Sequence, residues 1–176
     1  MSDRMTLPVL PLRDAVLFPG VASPIGAGRP ATLRAIEAAL KDPERRVFAV
    51  AQKENVDQVS PAVLYTTGTI ARISQVQRNL GGVQLILHGD SRGTAVHYTE
   101  TNGYLEATVR ETPDLPPLNE KDAAFVALHR EVRERAAELG QKSGLPTEVV
   151  QQVLQGVRDP GALADLVAGH LDIQSL

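Results

Sequence analysis

The stretch at residues 7–20, LPVLPLRDAVLFPG, constrains the fold more than any other part of the chain. Its side chains are apolar enough to require burial, yet Pro8, Pro11 and Pro19 interrupt it. Proline carries no backbone N–H, so within sheets it is confined to edge strands, strand starts and bulges. We therefore predict an extended segment at the edge of a sheet or at a bulge. Its apolar side chains must either be buried or leave a patch that suits a second extended chain.

Short alternating segments predict that the first part of the chain is rich in β-structure. An early helix is expected from Pro30, which fits a first helical position, to about Lys41. Residues 79–82, NLGG, and residues 101–103, TNG, predict two hairpin turns. The strands are expected at residues 21–25, 47–51, 69–77 with a bulge, 83–87, 91–98 and 104–110. This pattern favours a compact, barrel-like β-domain over residues 1–111.

Residues 112–118, TPDLPPL, contain three prolines and predict a stiff linker. After them the apolar period becomes helical, which predicts a helical subdomain at residues 119–176. Asn119 and Asp159 are the expected N-caps of its first and third helices, and Gly140 is the expected end of the first. The side chains expected to face inward are Phe125, Leu128, Val132 and Leu139; Val149, Val150 and Val153; and Leu163, Leu166, Val167 and Leu171. The predicted fold class is α+β.

Composition excludes several classes of function. The chain has no cysteine, which rules out disulfides, thiolate metal sites and thiol catalysis. Its first 118 residues carry 12 basic and 12 acidic side chains and the remainder carries 6 and 9, so neither part has the basic excess of a nucleic-acid-binding surface. No apolar run approaches the ~20 residues of a membrane helix, and residues 1–6 lack the apolar core of a signal peptide. We expect a cytoplasmic protein that binds neither membrane nor nucleic acid.

Three patterns imitate catalytic or cofactor motifs. Residues 26–31, GAGRPA, imitate a dinucleotide-binding fingerprint, but Pro24 interrupts the strand that should precede them. Residues 140–143, GQKS, lack the first glycine of a phosphate loop, and Gly140 stands one place too early. The histidines, at positions 88, 97, 129 and 170, do not have the spacing of metal ligands. We predict no catalytic residue, no metal site and no cofactor site in this chain.

Several short segments occur in a characteristic order along the chain. The opening LPVLPLR is followed by FPG at 18–20. Further segments are IGAGR at 25–29, VAQK at 50–53, Asp57, Pro61, Leu64-Tyr65, GTIARI at 68–73, GDSR at 89–92 and DPGALADLVAGHL at 159–171. Their order and spacing resemble the N-terminal substrate-recognition domain of the Lon family of ATP-dependent proteases. The chain departs from the family pattern at residues 79–82, where NLGG stands in place of a common LPDG, and at His88.

The resemblance implies a small PUA-like β pseudo-barrel with one early helix, followed by a C-terminal helical bundle segment. It also implies binding of exposed hydrophobic segments of unfolded or damaged proteins, and their delivery to the ATPase and protease domains of the same polypeptide. That polypeptide would be a homo-hexamer, with its catalytic serine and lysine, ATP and Mg²⁺ in segments beyond residue 176. We expect a fragment that is monomeric by itself. A standalone adaptor or regulatory protein and a PUA-like RNA-binding module remain alternatives.

A domain that feeds unfolded chains to a protease needs an exposed apolar patch or a free sheet edge. Phe18 and Val21 have the core as their alternative place, because phenylalanine and valine are commonly buried. Leu80 stands in a glycine-rich turn that core packing cannot easily reach. The predicted substrate-binding residues are Leu12, Phe18, Pro19, Val21 and Pro24 near the N-terminus and Val76 and Leu80 in the hairpin.

Overall fold

The computed structural model describes residues 3–171, which form two compact units divided after Pro113. We call residues 3–113 the β unit and Asp114–Leu171 the helical unit. In chain order, the β unit contains β1 (Arg4–Leu12), β2 (Ala22–Ala27), α1 (Pro30–Lys41), β3 (Arg46–Ala51), β4 (Thr67–Asn79), β5 (Gly82–Thr101) and β6 (Tyr104–Glu111). The division falls inside the proline-rich segment that the sequence predicts as a linker.

The six strands of the β unit form one sheet in the order β2-β5-β4-β3-β1-β6. β1 and β3 are parallel, and the other pairs are antiparallel. Two core clusters cover opposite faces of the central strands, because successive side chains of a strand alternate between faces. Leu10 and Leu12 belong to one cluster, Leu7 and Val9 to the other. The α+β class is confirmed. The sheet is not a closed barrel, although β5 pairs with β6 in addition to β2 and β4.

The predicted edge position is wrong for β1 as a whole, because β1 lies between β3 and β6, but each half of the strand pairs on one side only. It pairs with β6 through residues 4–8 and with β3 through residues 9–12, so Pro8 falls where the pairing changes partner. The N–H of Gln52 donates to the carbonyl of Leu12, which places the polar groups of Leu12 on the β3 side. Pro11, one residue earlier, directs its nitrogen to the other side, where β6 no longer pairs with β1. Its missing donor therefore costs no sheet hydrogen bond.

β5 is one continuous strand where the sequence predicted two, at residues 83–87 and 91–98. Its first half pairs with β2 and β4, and its second half pairs with β6. Two glycines allow close packing along it. A Cβ on Gly89 would lie 2.3 Å from the carbonyl oxygen of Phe18, and one on Gly93 would lie 2.6 Å from the side chain of Val109.

The turns and the bulge of the β unit follow the sequence prediction. Residues 80–81 join β4 to β5, and Asn102-Gly103, both at positive φ, join β5 to β6. The register of β4 against β5 shifts at Ile70/Ala71 and at Ile73/Gln75, which confirms the predicted bulge.

α1 lies where the sequence predicts a helix, with Pro30 at its start and Asp42 as its C-cap. Its apolar side places Ile36 and Ala39 in the same core cluster as Leu10 and Leu12. The helix packs against β1, β3 and β6. The connection from β2 to β3 therefore covers one face of the central strands.

The helical unit contains α2 (Ala123–Lys142), α3 (Thr147–Gly156) and α4 (Pro160–Gly169). α2 begins later than predicted, because Asp122 and not Asn119 is its N-cap and accepts a 3.4 Å hydrogen bond from the N–H of Phe125. It also continues past Gly140, its predicted end. Gly140 lets α3 approach closely, since a Cβ there would lie 2.9 Å from the side chain of Val150.

Polar contacts secure the ends of the shorter helices. Asp159 caps α4 as predicted, accepting a 2.8 Å hydrogen bond from the N–H of Ala162. Arg133 on α2 donates to the carbonyls of Leu154 and Val157 at the end of α3, the latter at 2.6 Å. Within residues 3–171 no helix combines the length and the apolarity that crossing a membrane requires.

The apolar stripes predicted for the helices are mostly not buried. Val150 and Leu163 are buried as expected. Leu128, Val132, Leu139, Val149, Val153 and Leu171 are instead exposed. Helical periodicity thus located the helices but not the depth of their side chains.

Candidate functional site

A groove of about 450 Å³ opens in the β unit beside β2. One wall is the end of β1 with the turn that follows it, the other is β2, and residues at the start of α1 complete it. The lining residues are Leu10, Pro11, Leu12, Arg13, Ala15, Pro24, Ile25, Gly26, Ala27, Gly28, Arg29, Thr32 and Asp57. We call this the β2 groove. Its lining is mostly apolar, and its charges are two arginines and one aspartate.

Two arginines tie the β1 side of the β2 groove to the loop that follows β3. Arg29 donates from Nη2 to the carbonyl of Pro11 at 3.1 Å and from Nη1 to Oε1 of Gln52 at 2.8 Å. Arg13 donates from Nη2 to Oδ1 of Asp57 at 2.6 Å. The Pro11 carbonyl and the side chains of Arg13 and Asp57 are therefore paired within the protein.

The charges of the β2 groove are paired and are not tuned for proton transfer. The hydrogen bond from Arg13 lowers the pKa of the Asp57 carboxyl below its ordinary value. Burial lowers the pKa of Arg29 from its ordinary value, and the charge of Arg13 acts in the same direction. A carboxyl with a lowered pKa stays ionised at neutral pH, and an arginine remains protonated. The groove thus offers hydrogen bonding and apolar contact, with no poised acid or base.

Two of the motif-like patterns have structural explanations. A Cβ on Gly28 would lie 3.2 Å from the carbonyl oxygen of Gly81, so this glycine allows the β4–β5 turn to pack against the turn between β2 and α1. Ser143 in the GQKS pattern is the C-cap of α2, and its Oγ donates to the carbonyl of Leu139 at 2.9 Å. The described part of the chain holds no group of three or more His, Asp or Glu side chains placed to bind a metal ion.

The predicted substrate-binding residues near the N-terminus are placed at different depths. Leu12 is only 3% exposed and belongs to the core, so its side chain is not part of a surface patch. Its burial follows from the core cluster on this face, which includes Ile36 and Ala39 of α1. Phe18, Pro19 and Val21 are half-buried in the segment between β1 and β2. The carbonyl of Phe18 lies against Gly89 of β5, which fixes this segment on the sheet.

Pro24 and Val76 lie on opposite faces of the sheet and do not share one surface. Val76 of β4 is opposite Leu85 of β5, which in turn is opposite Ile25 of β2, and this row packs against the core. Pro24 is next to Ile25 in β2, so its side chain points to the outer face, where it is exposed. Val76 is half-buried on the core side.

Leu80 is fully exposed, at 111% of its reference area, at the tip of the β4–β5 hairpin. The turn that carries it is well supported. Oδ1 of Asn79 accepts a 3.0 Å hydrogen bond from the N–H of Gly81. A Cβ on Gly82 would lie 2.3 Å from the carbonyl oxygen of Ala27, so the turn packs closely on the end of β2. A large apolar side chain thus projects into solvent from a fixed position beside the β2 groove.

Two apolar residues near these positions were not among the predicted site residues. Val16, in the turn after β1, is 61% exposed. The turn is marked by Asp14 at positive φ, and the Arg13-Asp14 pair in an apolar run is a sequence signal for it. Ile86 is paired with Pro24 on the outer face. The alternation of the inward residues 83, 85 and 87 would have placed it there.

Comparisons with known proteins agree with this architecture. The family described as ATP-dependent protease La (LON) substrate-binding domain matches residues 6–175. The chain is 47% identical over 175 residues to Lon protease 1 of Sorangium cellulosum, covering 98% of this chain and 22% of that protein. It is 33% identical to the Lon protease of Desulfovibrio desulfuricans, covering 97% of this chain and 19% of that protein. The chain thus spans about a fifth of the length of these curated relatives.

Two solved structures share the fold. The N-terminal domain of Mycobacterium avium complex Lon protease superposes with a TM-score of 0.76 at 24% identity, covering 97% of this chain and 85% of that one. The Lon N-terminal domain protein from Xanthomonas campestris gives a TM-score of 0.52 at 21% identity, with 93% and 98% coverage.

Proposed function

The chain belongs to the family of ATP-dependent protease La (LON) substrate-binding domains, and from this premise we propose that it binds exposed hydrophobic segments of unfolded or damaged proteins. In this proposal it is the recognition part of a longer polypeptide and contributes no catalytic residue. The ATPase and protease domains, with their ATP and Mg²⁺, lie elsewhere in that polypeptide, which assembles as a homo-hexamer. The bound segment is passed from this domain to the ATPase.

The observation that carries the proposal is the set of apolar side chains placed along β2, from the segment before its start to the β4–β5 turn packed on its end. Leu80 projects from a supported turn, and that turn packs on the end of β2 through Gly82 and Ala27. Pro24 is exposed on β2, and Phe18 and Val21 are half-buried just before it. Large apolar side chains held exposed by well-packed backbone are typical of a surface that binds apolar partners.

Weak binding by one copy of the domain is consistent with this role. An unfolded segment loses conformational entropy when it is ordered on a surface, which reduces the affinity gained per unit of buried area. Several copies in one assembly would raise the effective concentration of binding sites around a captured chain. Fast capture and release would then precede the committed step in the ATPase.

Chemical-shift mapping with a permanently unfolded protein tests the proposal. Reduced, carboxymethylated α-lactalbumin should perturb amides at residues 12–24 and 76–82, whereas native α-lactalbumin and a single-stranded RNA should not. Leu80→Ser should weaken the binding by about fivefold, roughly the loss of one apolar side-chain contact. Leu118→Ser is the matched control, because Leu118 is equally exposed, at 108%, but lies in the helical unit.

Two results would contradict the proposal. One is the absence of any response to the unfolded protein at concentrations where weak complexes form. The other is a response to RNA at the same residues, which would favour the RNA-binding alternative.

A further inference from the structure

We propose that the free edge of β2 binds an extended polypeptide by strand addition, so that the bound segment lies in the β2 groove as a further strand of the sheet. This inference rests on the proposed function and specifies how the unfolded chain is held. It predicts recognition through the backbone of the bound segment, with side-chain contacts as a second contribution.

β2 is a terminal strand of the sheet and pairs only with β5. The N–H of Gly89 donates to the carbonyl of Val21, so this carbonyl points toward β5. Polar groups alternate in direction along a strand, which turns those of Ala22, Pro24 and Gly26 away from β5. Within residues 3–171 these groups have no hydrogen-bond partner. The outer edge of β2 therefore presents two N–H groups and three carbonyls.

The β2 groove lies along this free edge. Residues 24–28 line it together with residues 10–13 of the opposite wall, which belong to β1 and its turn and do not pair with β2. On that wall the outward carbonyl of Pro11 already accepts a hydrogen bond from Arg29. A chain entering the groove would thus find backbone partners on β2, whereas the outward carbonyl of Pro11 on β1 is already paired.

The lining of the groove suits the side chains of a bound strand. The half-buried Ile25 and the exposed Pro24 supply apolar contact along the groove. Gly26 has no atom within 4 Å of an added Cβ, so the face of β2 is open at this position. Backbone pairing is independent of side-chain identity, and it therefore suits a partner class that consists of unfolded chains of many sequences.

Pro24 limits the strength of this pairing. It occupies the middle of the free edge and removes the one N–H that would complete a row of three outward donors. Proline on an edge strand is a common protection against irreversible pairing with other chains. A strand-addition site that carries it would hold extended segments briefly and release them.

The two possible roles of Pro24 predict opposite effects of Pro24→Ala. If Pro24 acts only as an apolar contact, its loss weakens binding. If β2 adds a strand, the variant restores a donor facing the groove and should bind an extended peptide about threefold to tenfold more tightly, the range for one added backbone hydrogen bond. A peptide of about ten residues alternating valine and threonine is a suitable probe, because it favours the extended state.

Backbone-modified peptides test the inference without changing the protein. Two versions of the valine–threonine peptide are N-methylated at alternate residues. In one version the methyl groups block the N–H groups along one edge of the extended peptide, and in the other version they block those along the opposite edge. Both versions keep every side chain. Strand addition predicts that at least one version loses about tenfold or more in affinity. It also predicts that the amides of Ala22 and Gly26 become protected from hydrogen exchange when the unmodified peptide binds.

Equal affinity of all three peptides, or weaker binding by Pro24→Ala, would overturn the inference while leaving the proposed function in place. Failure of the unmodified peptide and of carboxymethylated α-lactalbumin to bind would instead contradict the proposed function itself.

Discussion

The β unit and the helical unit have the same share of apolar residues but bury them to very different extents. Apolar residues make up 25 of the 58 residues of the helical unit, or 43%, which is also the value for the whole chain. Yet 22 of the 24 buried apolar residues in the described chain belong to the β unit, and 10 of the 14 exposed large ones belong to the helical unit. Composition therefore does not decide burial in this protein.

The difference follows from how each unit finds partners for its elements. The central strands of the β unit have neighbours on two sides and a core cluster on each face. The three helices of the other unit, of 20, 10 and 10 residues, share only two buried apolar side chains, and caps and the Arg133 contacts secure their ends. Structure held mainly by local contacts opens at a lower free energy than structure held by long-range pairing.

The largest expected effect is the loss of a core side chain from the β unit. Phe48 in β3 is fully buried, so Phe48→Ala should lower the free energy of unfolding by about 3–5 kcal/mol. Leu128→Ala in α2 is the matched truncation in the helical unit and should cost less than about 0.5 kcal/mol, because Leu128 is 62% exposed. Urea denaturation followed by circular dichroism measures both. A comparable loss in the two variants would show that the helical unit is packed far better in solution than its exposure indicates.

A smaller effect is expected where the segment before β2 packs on β5. Gly89→Ala places a methyl group 2.3 Å from the carbonyl oxygen of Phe18, and the backbone must shift, at a cost of about 1–3 kcal/mol. Gly26→Ala, where an added Cβ meets nothing within 4 Å, should change stability by less than about 0.5 kcal/mol. Unfolding free energies and the amide shifts of residues 18–21 report the difference. Unchanged shifts in Gly89→Ala would mean that β5 does not position this segment.

The smallest effect is expected at a helix cap. Asp159→Ala removes the acceptor for the N–H of Ala162 and should destabilise α4 by about 1 kcal/mol. Because the helical unit is held by local contacts, faster hydrogen exchange should be confined to α4 and its neighbours in that unit. Asp159→Asn keeps the acceptor and should behave like the unaltered protein. Faster exchange throughout β3 would contradict the separation of the two units.

Much of the fold was predictable because its signals are local. Pro30 and Asp42 fix the ends of α1, Asn102-Gly103 fixes one hairpin, and Asp159 caps α4. The run at β3 indicated a strand buried on both faces, since VFAVA has no polar alternation. These features depend on a few neighbouring residues and on backbone preferences that the sequence states directly.

The candidate site was only partly predictable, because its geometry depends on contacts between distant residues. Leu12 was predicted on the surface and is in the core, since its side chain lies in the cluster that α1 covers. The edge expected at β1 is found instead at β2, and the prolines of β1 fall where its partners change. Leu80 is exposed as its glycine-rich turn suggested. Whether these residues bind a chain is a prediction that the proposed experiments test.

The sequence by itself determined the class of structure: a β-rich part, a proline-rich junction, a helical part, and a family resemblance carried by motifs in order. Tertiary structure decided which strand is the edge, which apolar side chains reach the surface, and where the groove opens. The physical reason is that an apolar residue is driven out of water with a similar free energy wherever it stands. Only the pairing of remote strands determines which of these residues are covered and which backbone groups remain free.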